Sequence, residues 1–268
     1  MKSLYLCRVM QEKSIRHYPF WVYVLLFLAS QLTAMVMPLA LGVLTTGHVW
    51  SESSVLATTL LVANVLAIGL FFCFRPAQLT LSSTLEGLRG KNALRTMLVV
   101  LLAVPAILFV NLAQELLLPE IPDLVGEEMF ETIMYHPLGL LTIAFLGPVS
   151  EELLFRGGVQ TALAKKGLRF SIFVSAIIFS FIHLNPAQMP AAFLLGLLLG
   201  YAYGWTGSLV APVCIHVLNN GSACLLAFLS PEDDSFVSFI GGNDAAWMAM
   251  GISVLFFVFL VWKMHQIR

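Results

Sequence analysis

The sequence predicts an all-α fold, a polytopic integral membrane helical bundle with about eight transmembrane helices. Of the 268 residues, 59% are hydrophobic and 11% are charged, and the mean hydropathy is +0.90. Soluble domains carry about 25% charged residues, so this composition excludes a soluble protein. No change in composition marks a separate soluble domain, and we expect residues 1–268 to form a single integral membrane domain.

Eight apolar runs have the length that a membrane-spanning helix requires, about 20 residues or slightly fewer. These runs are 19–44, 55–74, 96–118, 137–163, 170–183, 189–203, 208–229 and 246–262. The fifth and sixth runs are short and are separated only by residues 184–188. They can therefore also be interpreted as one broken helix, which would reduce the number of spans to seven.

The basic residues favour eight spans. With eight, every Lys and Arg except Arg156 falls on one side of the membrane, and the opposite loops are acidic. The positive-inside rule makes the basic side cytoplasmic, so both termini are predicted there. Lys2, Arg8, Lys13 and Arg16 precede a first apolar run that is too long for a cleaved signal peptide. That run is interpreted as a retained signal-anchor helix.

Three further segments have structural interpretations. Residues 80–95 form either an amphipathic helix on the cytoplasmic leaflet or a solvated basic loop. Residues 119–136, with two prolines and five acids, form an external loop or a re-entrant helix. Gly196, Gly200 and Gly204 recur every four residues, which lets another helix approach closely. The four cysteines show no CxxC or Cys/His ligand spacing, so no disulfide framework or cysteine metal site is predicted.

A charged motif lies inside the fourth apolar run, where each charge costs roughly 2.5–3.5 kcal/mol on insertion scales. Glu152 and Arg156 are four residues apart and share a helix face, so an ion pair that holds this helix in place is predicted. Glu151 lies about 100° round the helix from Glu152. Phe155, at its own i+4 position, offers it no charge. Glu151 is therefore the carboxylate that we expect to be functional.

Two histidines and an asparagine occur in later apolar runs. Phe179 shares a helix face with His183, and His216 shares one with Asn220. At 1.5 Å per residue from the cytoplasmic end, Glu151 lies ~18 Å deep, His183 ~20 Å and His216 ~12 Å. Taken singly, His183 could cap a helix end and Asn220 could join two helices by a hydrogen bond. The similar depths instead favour one buried cavity.

These side chains suit hydrolysis of a carbonyl compound, and hence of a peptide bond. A buried carboxylate can act as a general base on water, and a neutral imidazole beside it can orient that water. A second imidazole and an amide N–H are donors for a developing oxyanion. Alternatively, Glu151, His183 and His216 could ligate zinc, with an open position for water. No HExxH motif supports that alternative.

The motifs Glu151-Glu152-x-x-x-Arg156, Phe179-x-x-x-His183 and His216-x-x-x-Asn220 resemble those of the CPBP family of intramembrane proteases. That family includes CAAX-prenyl-processing endopeptidases and bacteriocin-processing or immunity (Abi) proteins. The resemblance implies a catalytic four-helix core at 137–229 and assigns no function to 1–136. It implies that Glu151 and His183 activate water, that His216 and Asn220 form the oxyanion hole, and that Glu152, Arg156 and Phe179 support the site. Both metal-dependent and metal-free glutamate mechanisms have been proposed for the family.

Two rival functions remain. One is a non-catalytic scaffold or immunity protein that keeps the motifs for folding or peptide binding. The other is a proton-coupled transporter, although no inverted repeat or pair of broken helices supports it. The partners expected of the protease are a membrane-bound peptide or protein substrate and the lipid bilayer; no basic–aromatic nucleic-acid patch is present. Short loops and the absence of an ER retrieval signal at 265–268 favour a bacterial plasma membrane.

Overall fold

The computed structural model describes residues 18–44, 52–77, 79–118, 127–230 and 235–266, and all the regular secondary structure in these segments is helical. Two of the helices are much shorter than the others, α4 with eight residues and α9 with four. The ten helices that we label are α1 (Phe20–Leu44), α2 (Glu52–Phe74), α3 (Gly90–Leu117), α4 (Glu127–Met134), α5 (Pro137–Lys166), α6 (Leu168–Phe181), α7 (Met189–Thr206), α8 (Val210–Leu229), α9 (Phe236–Phe239) and α10 (Asn243–Gln266).

The polytopic helical architecture is confirmed. Five helices are long and apolar enough to cross a membrane, namely α2, α3, α5, α7 and α8. The other three predicted spans coincide with shorter apolar helical stretches, Phe20–Thr33, Leu168–Phe181 and Asn243–Phe259. Each of the eight predicted runs therefore coincides with a helix. The loop 184–188 separates α6 from α7, as the eight-span interpretation expects.

Several boundaries differ from the predicted ones. Helix α3 begins at Gly90, six residues before the predicted start at 96, because Lys91, Asn92 and Arg95 continue the helix beyond its apolar part. Helix α6 ends at Phe181, so His183 lies in the turn that follows and not in the helix. Helix α5 is not α-helical throughout, since Thr142–Leu146 and Leu153–Gln160 are π-helical.

The described chain forms two compact units. The first comprises the described residues of 1–84 and 125–175, and the second those of 85–124 and 176–268. The boundary between them falls within α6, after Ser175, and so inside the predicted catalytic core 137–229. That core and the single-domain organisation stay predictions.

In the first unit, α1 and α2 pack against each other and against α5. The ring of Phe27 on α1 meets that of Phe155 on α5 edge to face, with centroids 5.4 Å apart. A methyl group added to Gly158 on α5 would overlap with the ring of Tyr23, which is 1% exposed. Glycine at 158 therefore allows α1 to lie directly against the first motif's helix.

In the second unit, α3 is the helix around which the others pack, since it contacts α7, α8, α9 and α10. Its contact with α7 and α8 is a core of buried aliphatic side chains, comprising Val99, Ala103, Ile107, Leu195, Leu199, Ala202, Ala211 and Ile215. A methyl group on Gly196 of α7 would lie 3.1 Å from the Cα of Ala176 on α6. The close helix approach predicted from the glycine row is thus present at Gly196.

The remaining segment predictions have mixed outcomes. Between Thr80 and Gly90 the chain forms two short helical turns, Leu81–Thr84 and Glu86–Leu88, rather than one amphipathic helix. Of the loop 119–136, the second half contains α4, while residues 119–126 lie outside the described part. The N-terminal residues 1–17, on which the signal-anchor interpretation partly depends, also lie outside it.

Candidate active site

The first motif contains a fully buried ion pair. The Nη1 atom of Arg156 donates to Oε1 of Glu152 at 3.1 Å, and both side chains are 0% exposed. The pairing that the i, i+4 spacing predicted is therefore confirmed. A guanidinium can remain in such apolar surroundings because the carboxylate offsets its charge and accepts its hydrogen bond.

Glu151 is not as isolated as the sequence analysis expected. Its side chain is partly exposed, whereas that of Glu152 is buried. The guanidinium of Arg156 forms its ion pair with Glu152 and lies within the electrostatic influence of Glu151 as well. The sequence analysis compared Glu151 only with Phe155, at its i+4 position. It did not consider Arg156, one residue further along the helix.

A polar contact from α2 supports the same turn of α5. The hydroxyl of Ser150 donates to Oδ1 of Asn64, and Nδ2 of Asn64 donates to the carbonyl oxygen of Leu60 at 2.9 Å. A methyl group on Gly147 would lie 3.9 Å from Oε1 of Glu151 and 4.0 Å from Oδ1 of Asn64. Asn64 therefore lies in the neighbourhood of Glu151. The sequence analysis missed it, although a single asparagine in the apolar run 55–74 was a usable signal.

The backbone after Glu152 is wider than an α-helix. In the π-helical stretch Leu153–Gln160 the hydrogen bonds close over five residues rather than four, and the Thr161 hydroxyl donates to the carbonyl oxygen of Arg156 at 2.8 Å. Stretches of π-helix occur frequently at functional sites. Here the stretch contains Arg156 and the glycine that packs on Tyr23.

The second motif places an imidazole at a helix end. Nδ1 of His183 lies 2.7 Å from the carbonyl oxygen of Phe179, which belongs to the last turn of α6. Because a carbonyl can only accept, this contact assigns the proton to Nδ1 and leaves the Nε2 lone pair available as an acceptor. His183 therefore makes the helix-end contact that the sequence analysis gave as the alternative to a catalytic role. The same contact leaves Nε2 as the ring nitrogen that can accept a hydrogen bond from water.

The third motif brings a second imidazole to the same phenylalanine. The buried ring of Phe179 meets the ring of His183 edge to face at a centroid distance of 4.9 Å, and that of His216 at 5.7 Å. His216 is 2% exposed. Asn220 lies one turn further along α8, and its Oδ1 accepts from Nδ2 of Asn219 at 3.2 Å.

The predicted residues thus form two groups. Glu151, Glu152 and Arg156 lie together in the first unit, and Phe179, His183 and His216 lie together in the second, with Asn220 beside them on α8. In the described part of the chain, no group of three or more His, Cys, Asp or Glu side chains is arranged to hold a metal ion. The alternative of a zinc site with Glu151, His183 and His216 stays a prediction.

Comparisons with known proteins match the segment that carries the motifs. Residues 134–222 match the Rce1-like family, described as Type II CAAX prenyl endopeptidase Rce1-like. The "Membrane-embedded CAAX protease MroQ" of Staphylococcus aureus (strain USA300) is 34% identical over 103 residues, which are 36% of this chain and 42% of the relative. The match thus spans less than half the length of that relative. No solved structure matches.

The matched segment begins before the first motif and ends after the third, so it includes every predicted site residue. The long apolar helices and this membrane-embedded relative agree that the protein is a multi-pass membrane protein. Residues 134–222, with the three motifs that they contain, are thus similar to the Rce1-like CAAX prenyl endopeptidases and to a membrane-embedded CAAX protease.

Proposed function

We propose that the protein is an intramembrane endopeptidase that hydrolyses a peptide bond of a membrane-associated peptide or protein. The observation that carries this proposal is the pair of imidazoles, His183 and His216, that pack on the single buried ring of Phe179 within the family's matched segment. Two histidines, one from the turn after α6 and one from α8, are not needed to bury one phenylalanine. Their presence in apolar surroundings favours a chemical role.

In this proposal, Glu151 is the general base that takes a proton from the attacking water. Its partial exposure suits that role, because the base must be reached by water, whereas Glu152 is wholly buried and paired. His183 would orient the water through Nε2, since its Nδ1–H is directed at the Phe179 carbonyl. Holding the reactants in position in this way can supply several kcal/mol of the barrier reduction.

The developing oxyanion would be stabilised by His216 and Asn220. Both lie on one face of α8, one turn apart, as required for two donors that converge on one oxygen. Such donors act strongly in surroundings from which water is excluded, where removing one typically costs about 10²–10³ in kcat. Glu152, Arg156 and Phe179 would support the site without contacting the substrate.

In this proposal the substrate is a peptide or protein that undergoes processing of the CAAX type or of the bacteriocin-leader type. The reaction takes place in the plasma membrane of a bacterium. The relative's name, a membrane-embedded CAAX protease, favours the first. The exposed apolar side chains of the spanning helices suit a substrate that arrives through the lipid phase. These include residues on α3 and α7, namely Leu101, Val104, Leu194 and Tyr201.

The proposal is tested by mass-spectrometric mapping of new protein termini in membranes of cells that express the wild type or Glu151→Gln. The matched control is Glu131→Gln, which makes the same chemical change at an exposed site on α4. Termini that appear with the wild type and the control, but not with Glu151→Gln, are the expected result. They would also identify the substrate and distinguish prenylated C-termini from leader peptides. Identical termini in all three, at equal expression, would instead favour the scaffold or immunity function.

A further inference from the structure

Three asparagine side chains form a hydrogen-bonded chain that ends at Asn220. Nδ2 of Asn111 on α3 donates to the carbonyl oxygen of Ile107 at 2.9 Å and to Oδ1 of Asn219 on α8 at 3.4 Å. Nδ2 of Asn219 then donates to Oδ1 of Asn220 at 3.2 Å. All these residues lie in the second unit, where α3 packs directly on α8.

The direction of this chain is determined at its first member. The carbonyl oxygen of Ile107 can only accept, so the nitrogen of the Asn111 amide must face it. That orientation makes Asn111 a donor to Asn219, which must then present its oxygen to Asn111 and its nitrogen to Asn220. Asn220 in turn presents its oxygen to Asn219. One backbone carbonyl thus fixes the orientation of three amides, any of which could otherwise be rotated by half a turn.

From this chain we infer that Asn219 is a positioning residue for the oxyanion hole, with Asn111 behind it. By accepting from Asn219, Oδ1 of Asn220 is held away from the reacting oxygen, and the Nδ2 amide is the end that can donate to it. The reversed amide would present a partly negative oxygen to a developing negative charge. The inference rests on the proposed function of Asn220 as an oxyanion donor, and deepens it.

A purely structural explanation is that the asparagines only hold α3 against α8. Interhelical hydrogen bonds of this kind are common in membranes and are worth about 0.6–2 kcal/mol. This explanation concerns stability alone and predicts no dependence on Asn220. The two explanations therefore differ in what happens when Asn219 and Asn220 are changed together.

The informative variant is Asn219→Asp. An aspartate can still accept from Asn111, but it has no N–H for Asn220, so Asn220 is expected to turn its nitrogen towards residue 219. The probes are internally quenched peptides in proteoliposomes, one ending in a farnesylated CAAX sequence and one containing the sequence around the mapped terminus. We expect kcat to fall about 100-fold, as for loss of one oxyanion donor. KM is expected to change less than about twofold, because ground-state binding is untouched.

Three comparisons make the result specific. Asn219→Leu removes the link without reversing it, and its kcat should lie between those of the wild type and Asn219→Asp. Asn243→Asp, the same change at an exposed position at the start of α10, should leave kcat unchanged. In an Asn220→Ala background, Asn219→Asp should cost nothing further, because the amide on which it acts is gone. Additive losses in that double variant would overturn the inference in favour of the structural explanation.

The outcomes distinguish the inference from the proposed function. If Asn220→Ala lowers kcat but Asn219→Asp does not, the inference fails and the function stands. If Asn220→Ala retains full kcat, Asn220 is not an oxyanion donor, so both its proposed role and the inference fail, whereas the endopeptidase activity stands. NMR of protein labelled with ¹⁵N-asparagine provides a test that requires no substrate. Asn219→Leu should shift the side-chain amide signals of Asn220, and unchanged signals would refute the contact.

Discussion

A guanidinium and a carboxylate with no exposed surface, Arg156 and Glu152, face each other at 3.1 Å in a stretch that is otherwise apolar. Glu151 precedes this pair, and its charge acts on the same cation. The two adjacent acids therefore have different environments. Glu152 is committed to a buried hydrogen bond, and Glu151 is partly exposed, which is the division expected of a structural acid and a reactive one.

We expect Glu152→Gln to lower the stability of the protein in detergent. The substitution removes the negative charge that offsets a fully buried guanidinium, and breaking such a pair costs about 3–5 kcal/mol. Because the charge of Glu151 also acts on Arg156, the free energy of unfolding should fall by an amount near the lower end of this range, about 3 kcal/mol. The measurement is the thermal unfolding midpoint of Glu152→Gln beside that of Glu151→Gln.

Glu151→Gln serves as the matched comparison, because it makes the same change one residue away. We expect it to abolish cleavage while the unfolding midpoint moves much less than in Glu152→Gln. An unchanged midpoint for Glu152→Gln together with lost turnover would show that the two glutamates have been assigned to the wrong roles.

At the scale of helices, α5 shows what periodicity can and cannot predict. The apolar run 137–163 predicted its position well, because hydrophobic burial extends over its whole length. The π-helical stretches within it were not predictable from a 3.6-residue period. They coincide with tertiary contacts, such as Tyr23 on Gly158, that involve residues more than 100 positions apart.

A glycine-to-alanine pair tests this packing. Gly158→Ala would place a methyl group within the Tyr23 ring, so we expect a destabilisation of about 1–3 kcal/mol from overpacking. Gly69→Ala, in α2 of the same unit, is the control, because an added methyl group there meets nothing within 4 Å. It should be neutral or slightly stabilising. Equal unfolding midpoints for both variants would show that α1 does not press on α5 as described.

Sequence patterns predicted one contact of the candidate site and its three motifs. Glu152 with Arg156 followed from the four-residue rule, and the three motifs followed from their resemblance to a family. Asn64 and Asn111 did not follow, because a single asparagine in an apolar run does not reveal which neighbouring helix it meets. Likewise, the orientation of the Asn219 amide depends on the packing of α3 on α8, which no local pattern encodes.

At the scale of the whole molecule, many large apolar side chains of the described helices are exposed. On α10 the side chains of Met248, Ile252 and Leu255 are 64%, 64% and 71% exposed. In water such a surface would drive association, whereas in hydrocarbon it requires no partner. The surface composition therefore agrees with the hydropathy of the sequence.

The predicted orientation can be tested with reporter fusions. Because all the loop cations fall on one side, both termini should be cytoplasmic if there are eight spans. Green fluorescent protein fused after residue 268 should then fluoresce. Alkaline phosphatase should be active when inserted at 231–234 and inactive after residue 268. An active phosphatase at the C-terminus would indicate an odd number of spans, as in the seven-span alternative.

The shared contact with Phe179 has a consequence for spectroscopy. A phenyl ring displaces the NMR signals of protons close to it, and both the His183 and His216 rings lie against this one. In protein labelled only at histidine, we therefore expect two imidazole signals to stand apart from the rest. If a bound substrate moves either imidazole away from the phenyl ring, the chemical shift of that imidazole should approach those of the other histidines. This buried phenylalanine would then report whether the site is occupied.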